Sequence, residues 1–421
     1  MVSGTLPRLL RAIHPRHGAV SLAEHLNAHG PIPHARPGWG RTMLGEIEAS
    51  GLLGRGGAGF PTGRKWRTVA AQRRRPMVVA NGAETEPASS KDKFLLTAAP
   101  HLVLDGAITA ARVIGADVVY LYVPRSVELV LREAVREREE AGLDTVQLTV
   151  VTAPRLYLAG EESAVVHHLN GGQAAKPVFV GRHRPYQKGV EGRPTLINNV
   201  ETLAHVGLIS RLGSSWFRQL GPPTSPGSTL VTVTGAVKRP GVAEIALGSS
   251  LRSLVEAAGG PTEPIQAFLL GGYFGTWLPG DQALDLALEH QALAAVGASL
   301  GAGVIVALPE SACGLGETAR VAAYMDSQKA RQCGPCVNGL AAIAEQAARL
   351  AWGRPHADVR SVVEFLAGRT AGRGACRHPD GAVRLVTSAL RTFSSEVDSH
   401  IAGSCTKRSA ANVLPVPQVA G

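Results

Sequence analysis

The 421-residue sequence is poor in cysteine, in aromatic residues and in charge, and these shortages exclude whole classes of protein. Five cysteines are too few to hold a chain of this length together as a disulfide scaffold. Aromatic residues make up 5% of the chain, and we find no zinc finger, helix-turn-helix or basic strand interleaved with aromatics. We therefore expect no nucleic-acid partner.

Long apolar runs without charges are also missing. The most apolar stretch, Leu102–Val123, contains Asp105, Arg112 and Asp117, so placing it in a bilayer is costly. The first ten residues lack the apolar region of a secretory signal. We expect a cytoplasmic protein without direct membrane insertion, or one held at a membrane by a partner.

Apolar residues and glycine are abundant. Apolar residues account for 45% of the chain, which excludes wholesale disorder, and the length suggests roughly three domains. The 49 glycines indicate many loops where the backbone approaches something closely. The net charge is +10, and residues 1–80 carry twelve Lys or Arg against three acids. This stretch is typical of either a solvated arginine-rich surface or an anion-binding one.

Apolar β-branched runs alternate with helical periodicity up to about residue 220. This order predicts an α/β domain with a largely parallel sheet. The predicted strands and helices are Met77–Ala80, Val118–Val123 and Val146–Thr152, and Leu102–Ile114, Val127–Ala141 and Glu161–Leu169. Composition then divides the chain into an arm (1–50), the α/β domain (51–222), a β-rich unit (228–300), an Ala-rich helical unit (301–403) and a disordered tail (404–421).

A glycine-rich loop is the first candidate binding segment. Gly54-Arg-Gly-Gly-Ala-Gly59 has the G-x-G-x-x-G spacing with which backbone amides approach a phosphate or a flat ring. The dinucleotide-binding form of this motif follows a strand, whereas residues 46–53 have a helical pattern, so that form is excluded. Lys65 adds a nearby cation. A purely structural glycine turn remains the alternative.

Three further segments carry polar groups at predicted element ends. Asn81-Gly-Ala-Glu84-Thr-Glu86-Pro follows a strand, where α/β proteins place ligand-binding groups. Tyr157-Leu-Ala-Gly160-Glu161-Glu162-Ser opens a helix, and its acids are also typical of helix-dipole compensation. Arg193-Pro-Thr-Leu-Ile-Asn198-Asn199-Val-Glu-Thr202 offers two amides that bind ring or phosphate oxygens or simply cap a helix.

Taken together, the four segments resemble the family of 51 kDa flavin subunits of complex I, the F-type subunits of NADH-quinone oxidoreductase. The resemblance implies an N-terminal α/β flavin-binding domain, a small ubiquitin-like SLBB β-grasp domain and a C-terminal all-α helical bundle with an iron–sulfur cluster. The stretch Thr232-Val-Thr-Gly-Ala-Val-Lys-Arg-Pro-Gly241 is similar to the SLBB domain. The implied cofactors are FMN, NADH and a 4Fe-4S or 3Fe-4S cluster.

The resemblance also implies a role for each matching residue. The FMN phosphate and ribityl chain would lie against Gly54, Arg55, Gly56 and Lys65. The rest of the flavin would be held by Asn81, Glu84, Tyr157, Gly160, Glu161, Asn198, Asn199 and Thr202. The NADH side would be lined by Gly57, Phe60, Glu86, Glu162 and Phe179, with Glu86 and Glu162 as the catalytic acids.

Three positions depart from the family pattern. Ala83 replaces a flavin-contacting carboxylate, and the loss of one charged hydrogen bond costs roughly 1.5–3 kcal/mol, or about tenfold or more in affinity. The segment Ala153-Pro-Arg-Leu-Tyr157 places bulk where a glycine-rich approach is expected. Thr68 stands where the family commonly has an aromatic residue.

The cysteines match three of the four cluster ligands of the family. Cys333, Cys336 and Cys376 have the spacing of its last three ligands, but the position of the first is Ala330. Three thiolates leave one iron open to water, an exogenous ligand or a side chain, with His378 and Cys313 as candidates. A three-iron cluster, the absence of a cluster, a thioredoxin-like thiol pair and inert cysteines are the alternatives. Cys405 is expected to be a bystander.

The resemblance implies an NAD(P)H:acceptor oxidoreductase that passes electrons from NADH through FMN to the cluster. The onward partner would be a ferredoxin or a quinone-linked membrane redox subunit. The alternative is a divergent, non-catalytic flavin- or nucleotide-binding subunit that organises an electron-transfer complex. Ala83 and Ala330 favour the alternative, because each removes a group that the chemistry would use.

Overall fold

The computed structural model describes residues 5–13, 18–33, 38–172, 177, 183–353, 355–407 and 412–417. Its first layer is a four-stranded sheet in which every strand pairing is parallel. The strand order is β3-β2-β1-β4. The strands are β1 Met77–Asn81, β2 Val118–Pro124, β3 Gln147–Ala153 and β4 Thr195–Asn199. The predicted α/β class and parallel sheet are confirmed.

Helices surround this sheet. They are α1 Leu22–His29, α2 Trp39–Ser50, α3 Thr62–Ala70, α4 Lys91–Ala98, α5 Pro100–Ile114, α6 Arg125–Glu140, α7 Glu162–Leu169 and α8 Val200–Phe217. The pattern of the sequence predicts α5, α6 and α7 to within a few residues. The helix α2 ends just before the glycine loop, as its periodicity predicts.

The helices α5 and α8 form the centre of the core. A Cβ atom at Gly106 would lie 1.7 Å from the main-chain oxygen of Leu203, so only glycine permits this contact. Beside it, the buried carboxylate of Asp105 binds Arg138 at 2.9 Å and Arg211 at 2.6 Å. His25 of α1 contacts the same carboxylate at 2.7 Å. This ion network holds α1, α6 and α8 around α5.

A second sheet of five strands follows, with the order β6-β5-β9-β7-β8. Its elements are β5 Ser228–Gly235, β6 Gly241–Ala246, α9 Leu251–Ala257, β7 Ile265–Leu270, β8 Thr276–Pro279, α10 Gly280–Ala283, α11 His290–Ala295 and β9 Val304–Pro309. The strand β9 lies beyond residue 300 but pairs with β5 and β7, so it completes this sheet.

A helical bundle ends the described chain. It contains α12 Gly314–Ser327, α13 Leu340–Trp352, α14 Val359–Thr370, α15 His378–Thr392 and α16 Ser394–Ile401. Within the range predicted as a tail, Leu414 is buried and its amide donates to Glu317 at 2.8 Å. No single described helix is long and apolar enough to cross a membrane, although α4 and α5, bent by 96°, pass that test as a pair.

Candidate functional site

The carboxyl edge of the first sheet brings three of the candidate segments together. Asn81 at the end of β1 is the register partner of Asn199 at the end of β4. The Asn81 amide nitrogen also donates to the main-chain oxygen of Gly160, 2.9 Å away. The carboxyl ends of parallel strands are the usual place for ligand-binding groups, and the predicted segments meet there.

The glycine loop lies on the same edge. The Gly54 amide donates to the Phe60 carbonyl at 2.9 Å, which closes the loop. The Arg55 amide donates to Thr202 Oγ1 at 2.8 Å, which fixes the loop on the first turn of α8. A Cβ atom at Gly56 would lie 3.3 Å from Asn199 Cβ. A glycine surface against an asparagine amide is therefore open to a phosphate or a flat ring, and the residues fit the predicted flavin mononucleotide.

The side chain of Arg55 points into the interior. It is buried, donates to the Ser228 carbonyl at 2.9 Å and lies 3.8 Å from the Glu201 carboxylate. The other Glu201 oxygen accepts from Lys91 at 2.8 Å. Although burial opposes ionisation, Lys91, His205 and Arg55 together hold the pKa of Glu201 well below its usual value. The main chain of Arg55 therefore faces the candidate site, whereas its charged side chain lies beside Glu201 and the start of β5.

Two predicted flavin-binding carboxylates cap helices. Glu84 accepts from the amides of Asp92 at 2.9 Å and Lys93 at 2.8 Å, which places it at the start of α4. Glu161 accepts from the amides of Ser163 at 2.9 Å and Ala164 at 3.1 Å, at the start of α7. The helix-end alternative considered for Glu161 therefore describes its contacts in this structure.

Glu86 is buried in the joint between the two sheets. Its carboxylate accepts from Tyr157 Oη at 2.8 Å and from the Tyr273 amide at 2.9 Å. Burial is the main cause that raises the pKa of Glu86 to about 7, and the hydrogen bonds oppose it. Near neutral pH this carboxyl is therefore partly protonated. A pKa that burial shifts this far is typical of functional sites.

The mouth of the site is more exposed. Lys65 forms an ion pair with Glu162, and their side chains are 25% and 49% exposed. Phe60 is 47% exposed at the tip of the glycine loop, which is a large fraction for an aromatic side chain. These three residues leave an exposed polar and aromatic surface at and beside the glycine loop.

The remaining predicted residues form the wall of the site. Asn198 Oδ1 accepts from the Trp66 indole at 2.8 Å. Asn199 donates to Asp92 at 2.6 Å and caps α8 through the Glu201 amide. Ala83 is buried in an apolar cluster. Gly57 has a φ of 107° and lies against Gly301. Phe179 lies outside the described residues.

The three predicted cluster ligands lie close together in the bundle. Cys336 is buried, and Cys333 and Cys376 pack partly buried against the same apolar cluster, as does Ala330. Burial raises the pKa of the Cys376 thiol to about 11, and the nearby Glu161, Cys336 and Cys333 add to the increase. Three thiols in one partly buried place fit an iron–sulfur cluster. The ring of Tyr157 lies 5.5 Å from the ring of His378, two residues after Cys376, so this place borders the flavin segments.

The structure separates the two candidates for the open iron. His378 is buried beside Cys376, its Nε2 contacts the Met325 carbonyl at 2.8 Å, and its Nδ1 has no partner among the described residues. Cys313 precedes α12 and is twelve residues before Met325, which in a helix is about 18 Å. Cys313 is therefore too far away to be a cluster ligand, which corrects that expectation.

An aromatic cluster between the sites was not predicted. Tyr157 stacks parallel to Tyr273, with ring centres 6.4 Å apart, and meets His378 at 5.5 Å. Phe274 and Tyr324 pack against the same Tyr157 ring. These residues come from distant parts of the sequence, and no spacing pattern identifies them. They link the back of the flavin segments to the cysteine region.

Comparison with known families agrees with this arrangement. Residues 47–208 match the Nuo51 FMN-binding domain, residues 230–270 the SLBB domain, and residues 316–400 the NADH-ubiquinone oxidoreductase-F iron–sulfur binding region. The three matches follow the order of the flavin edge, the second sheet and the cysteine-bearing bundle. They define an electron-transfer subunit with an FMN domain and an iron–sulfur domain.

The chain belongs to the family of F-type NADH-quinone oxidoreductase subunits. It is 33% identical over 374 residues to the second F-type subunit of Rhizobium meliloti, covering 84% of this chain and 87% of the relative. It is 34% identical over 390 residues to the F-type subunit of Mycobacterium bovis, covering 86% and 85%.

A solved structure shares the fold. An NAD+-reducing NiFe-hydrogenase in its air-oxidised state has a TM-score of 0.80 and 29% identity, covering 94% of this chain and 67% of that one. In the H2-reduced state the match covers 86% of this chain and 63% of that one, with a TM-score of 0.78. The predicted family and fold are confirmed.

Proposed function

We propose that this chain oxidises NADH at an FMN bound on the carboxyl edge of the first sheet and passes the electrons to a cluster on Cys333, Cys336 and Cys376. One observation carries the proposal: the ring of Tyr157, in the flavin segment that ends at that edge, lies 5.5 Å from the ring of His378, two residues after Cys376. The two predicted cofactor sites are therefore neighbours. The relatives of this chain are subunits of NADH-quinone oxidoreductases, so we expect this chain to bind other protein subunits.

The residues divide the work of holding the two ligands. FMN, when bound, would accept a hydride and release electrons one at a time to the cluster. The loop from Gly54 to Gly59 supplies backbone surface, and Thr202 fixes it through the Arg55 amide. On FMN binding, Lys65 would break its ion pair with Glu162 and bind the FMN phosphate instead. An ammonium–phosphate pair that is shielded from water is stronger than the exposed Lys65–Glu162 pair. Phe60 would stack on the incoming nicotinamide nucleotide.

The interior residues keep the site rigid. The Glu86 carboxylate, which follows β1, accepts hydrogen bonds from Tyr157 and from the amide of Tyr273. It therefore joins the first sheet to the second. Glu86 is therefore a positioning residue in this structure, and it holds a proton over part of the neutral range. The Tyr157, Tyr273 and Phe274 rings pack together between the two proposed cofactor sites.

His378 is the proposed fourth ligand of the cluster. Its Nε2 is engaged by the Met325 carbonyl, which fixes the ring and leaves Nδ1 with a lone pair. A ring nitrogen held in this way is typical of metal-ligating histidines. Replacing His378 by alanine should convert a four-iron signal to a three-iron one in electron paramagnetic resonance. An unchanged spectrum would exclude this ligand.

The central experiment is anaerobic reduction of the reconstituted chain. The full-length protein is loaded with FMN, iron and sulfide, and NADH is added in the absence of oxygen. The flavin absorption band should bleach, and NADPH in a parallel cuvette defines the nucleotide preference. Bound flavin that stays oxidised with either nucleotide would refute the dehydrogenase activity.

A non-catalytic flavin subunit is the second candidate, because Ala83 and Ala330 stand where the family has functional groups. The variant Ala330→Cys separates the two functions. If the parent already holds a reducible cluster, the dehydrogenase proposal stands. If only the variant gains a 4Fe-4S signal, the native cluster site is vestigial and the organising role is favoured.

A further inference from the structure

A second group of metal-binding side chains lies at the opposite end of α12 from the predicted cluster. Cys313, His400 and Cys405 each offer one ligand atom, and these atoms all lie within 4.8 Å of one another. They come from the residue before α12, from the last turn of α16 and from the segment after α16. We propose that they bind a single zinc-class divalent ion, separate from the iron–sulfur cluster.

The spacing of the ligand atoms matches tetrahedral zinc. With Zn–S bonds of about 2.3 Å and Zn–N bonds of about 2.0–2.1 Å, a thiolate and an imidazole nitrogen on one ion are about 3.6 Å apart. Cys313 Sγ and His400 Nε2 are 3.7 Å apart. The pair is therefore already at ligand distance, and the ion needs no rearrangement of α12 or α16.

The histidine is oriented for metal binding. His400 Nδ1 contacts the main-chain oxygen of Leu350 at 2.9 Å. A carbonyl only accepts hydrogen bonds, so the ring proton is on Nδ1 and the lone pair is on Nε2, which faces Cys313. A second hydrogen bond of this kind is what fixes the ring in most metal-bound histidines.

The cysteine lies where a bound metal would stabilise its thiolate. The Gly316 amide donates to Cys313 Sγ at 3.3 Å, in the first turn of α12. Hydrogen bonding from an amide and the positive end of the helix both favour a negative sulfur. A metal would displace the proton and leave these contacts in place.

A buried carboxylate lies on the same helix face as His400 and is a further candidate ligand. Glu396 is 7% exposed, and its Oε2 has no hydrogen-bond partner among the described residues. It precedes His400 by four residues on α16, so both side chains share one face of that helix. Its other oxygen lies 3.4 Å from Lys407. Two thiolates balance a divalent ion, and Lys407 balances Glu396, so the assembled site is neutral.

The ion would fasten the end of the chain to the bundle. Cys405 is exposed and follows the last helix, so a metal bond would tie its segment to α12 and α16. Thiolate and imidazole ligands gathered from Cys and His side chains are typical of structural zinc sites. This site is independent of electron transfer.

The test measures zinc in the full-length protein. The chain is purified with a thiol-free reductant, incubated with Zn²⁺ and dialysed, and zinc is counted by plasma mass spectrometry. We expect about one zinc per chain in the wild type and in Cys376→Ser, and a loss of that zinc in Cys405→Ser. Because Cys405 is exposed, its replacement leaves the core intact, and Cys376→Ser is the matched control for the iron–sulfur thiols.

The zinc coordination shell gives a second readout. X-ray absorption at the zinc edge should show two sulfur neighbours at about 2.3 Å and lighter atoms at about 2.0 Å. The proposal is overturned if Cys405→Ser keeps its zinc, if Cys376→Ser loses it, or if the shell contains no sulfur. A protein two mass units lighter than the reduced chain, with Cys313 and Cys405 joined, would also overturn it.

Discussion

Removing the charge of Glu86 should change how stability depends on pH. Burial raises the pKa of this carboxyl from 4.5 to about 7. When folding raises the pKa of an acid, that acid contributes its full stability to the folded state at pH values below its unfolded pKa. The contribution is lost as the pH rises through the pKa of the folded state. For this shift, the loss between pH 5 and pH 8 is about 2.5 kcal/mol.

The variant Glu86→Gln keeps an oxygen for Tyr157 and the Tyr273 amide but cannot ionise. The free energy of unfolding of the variant, relative to the wild type, should therefore rise by about 2.5 kcal/mol between pH 5 and pH 8. Urea unfolding of the full-length chain at the two pH values measures it. The control is Glu162→Gln, whose side chain is 49% exposed.

The comparison is a difference of differences, so a constant offset from the new amide cancels. Parallel stability profiles for the wild type and Glu86→Gln would refute the reasoning. They would mean that water reaches the carboxyl or that the joint opens when Glu86 ionises. Circular dichroism and intrinsic fluorescence are recorded together, because coincident transitions are the condition for comparing free energies of unfolding.

Two further predictions concern glycine and lysine. Gly106→Ala should destabilise the fold by about 3 kcal/mol or more, since its Cβ would lie 1.7 Å from the Leu203 carbonyl. Gly45→Ala, in a helix with nothing within 4 Å of the added Cβ, should stabilise it by up to about 1 kcal/mol; equal thermal midpoints would contradict both. Lys65→Ala should weaken FMN binding about tenfold, measured by quenching of flavin fluorescence, while Arg64→Ala should leave it nearly unchanged. An equal loss of FMN affinity in both variants would show that binding depends on the overall positive charge and not on Lys65 in particular.

The sequence predicts three of the four strands of the first sheet from their short apolar β-branched runs, whereas β4 carries two asparagines and has no such run. Met77–Ala80 and Val118–Val123 have no helical alternative of sufficient length, and the structure places β1 and β2 there. The helix before the glycine loop is equally clear, and it correctly excludes the dinucleotide-binding form of the motif. Convergence of the other three segments follows from parallel topology, which places every carboxyl end on one edge.

The direction of each side chain could not be predicted. Glu84 and Glu161 have the residue types of ligand-binding groups, yet both direct their oxygens to helix amides. Arg55 is a candidate phosphate ligand by position, yet it is buried beside Glu201. Part of the excess charge of the first 80 residues is used in the same way, since Arg8 packs 4.0 Å above the Trp216 ring. Such choices depend on contacts between distant segments.

The cysteines show a related limit: sequence spacing misses ligands that only folding brings together. Cys405 gives only a weak signal in the sequence, because His400 lies five residues before it but Cys313 is far from both. Only the return of α16 to the start of α12 brings the three together. A spacing rule finds ligands that share one loop, such as Cys333 and Cys336, and misses those gathered by packing.

The two alanines that replace family residues differ in how their surroundings have adapted. Ala83 is 4% exposed in an apolar cluster, and a carboxylate there would be buried without a described cation beside it. Ala330 is only partly buried at the rim of the cysteine region, and the next residue, Arg331, keeps a φ of 56° that favours glycine. That strained turn persists without the ligand it would present. A cysteine is therefore accommodated at position 330 more easily than a carboxylate at position 83, so one substitution can supply the family's fourth cysteine ligand but not its flavin-contacting carboxylate.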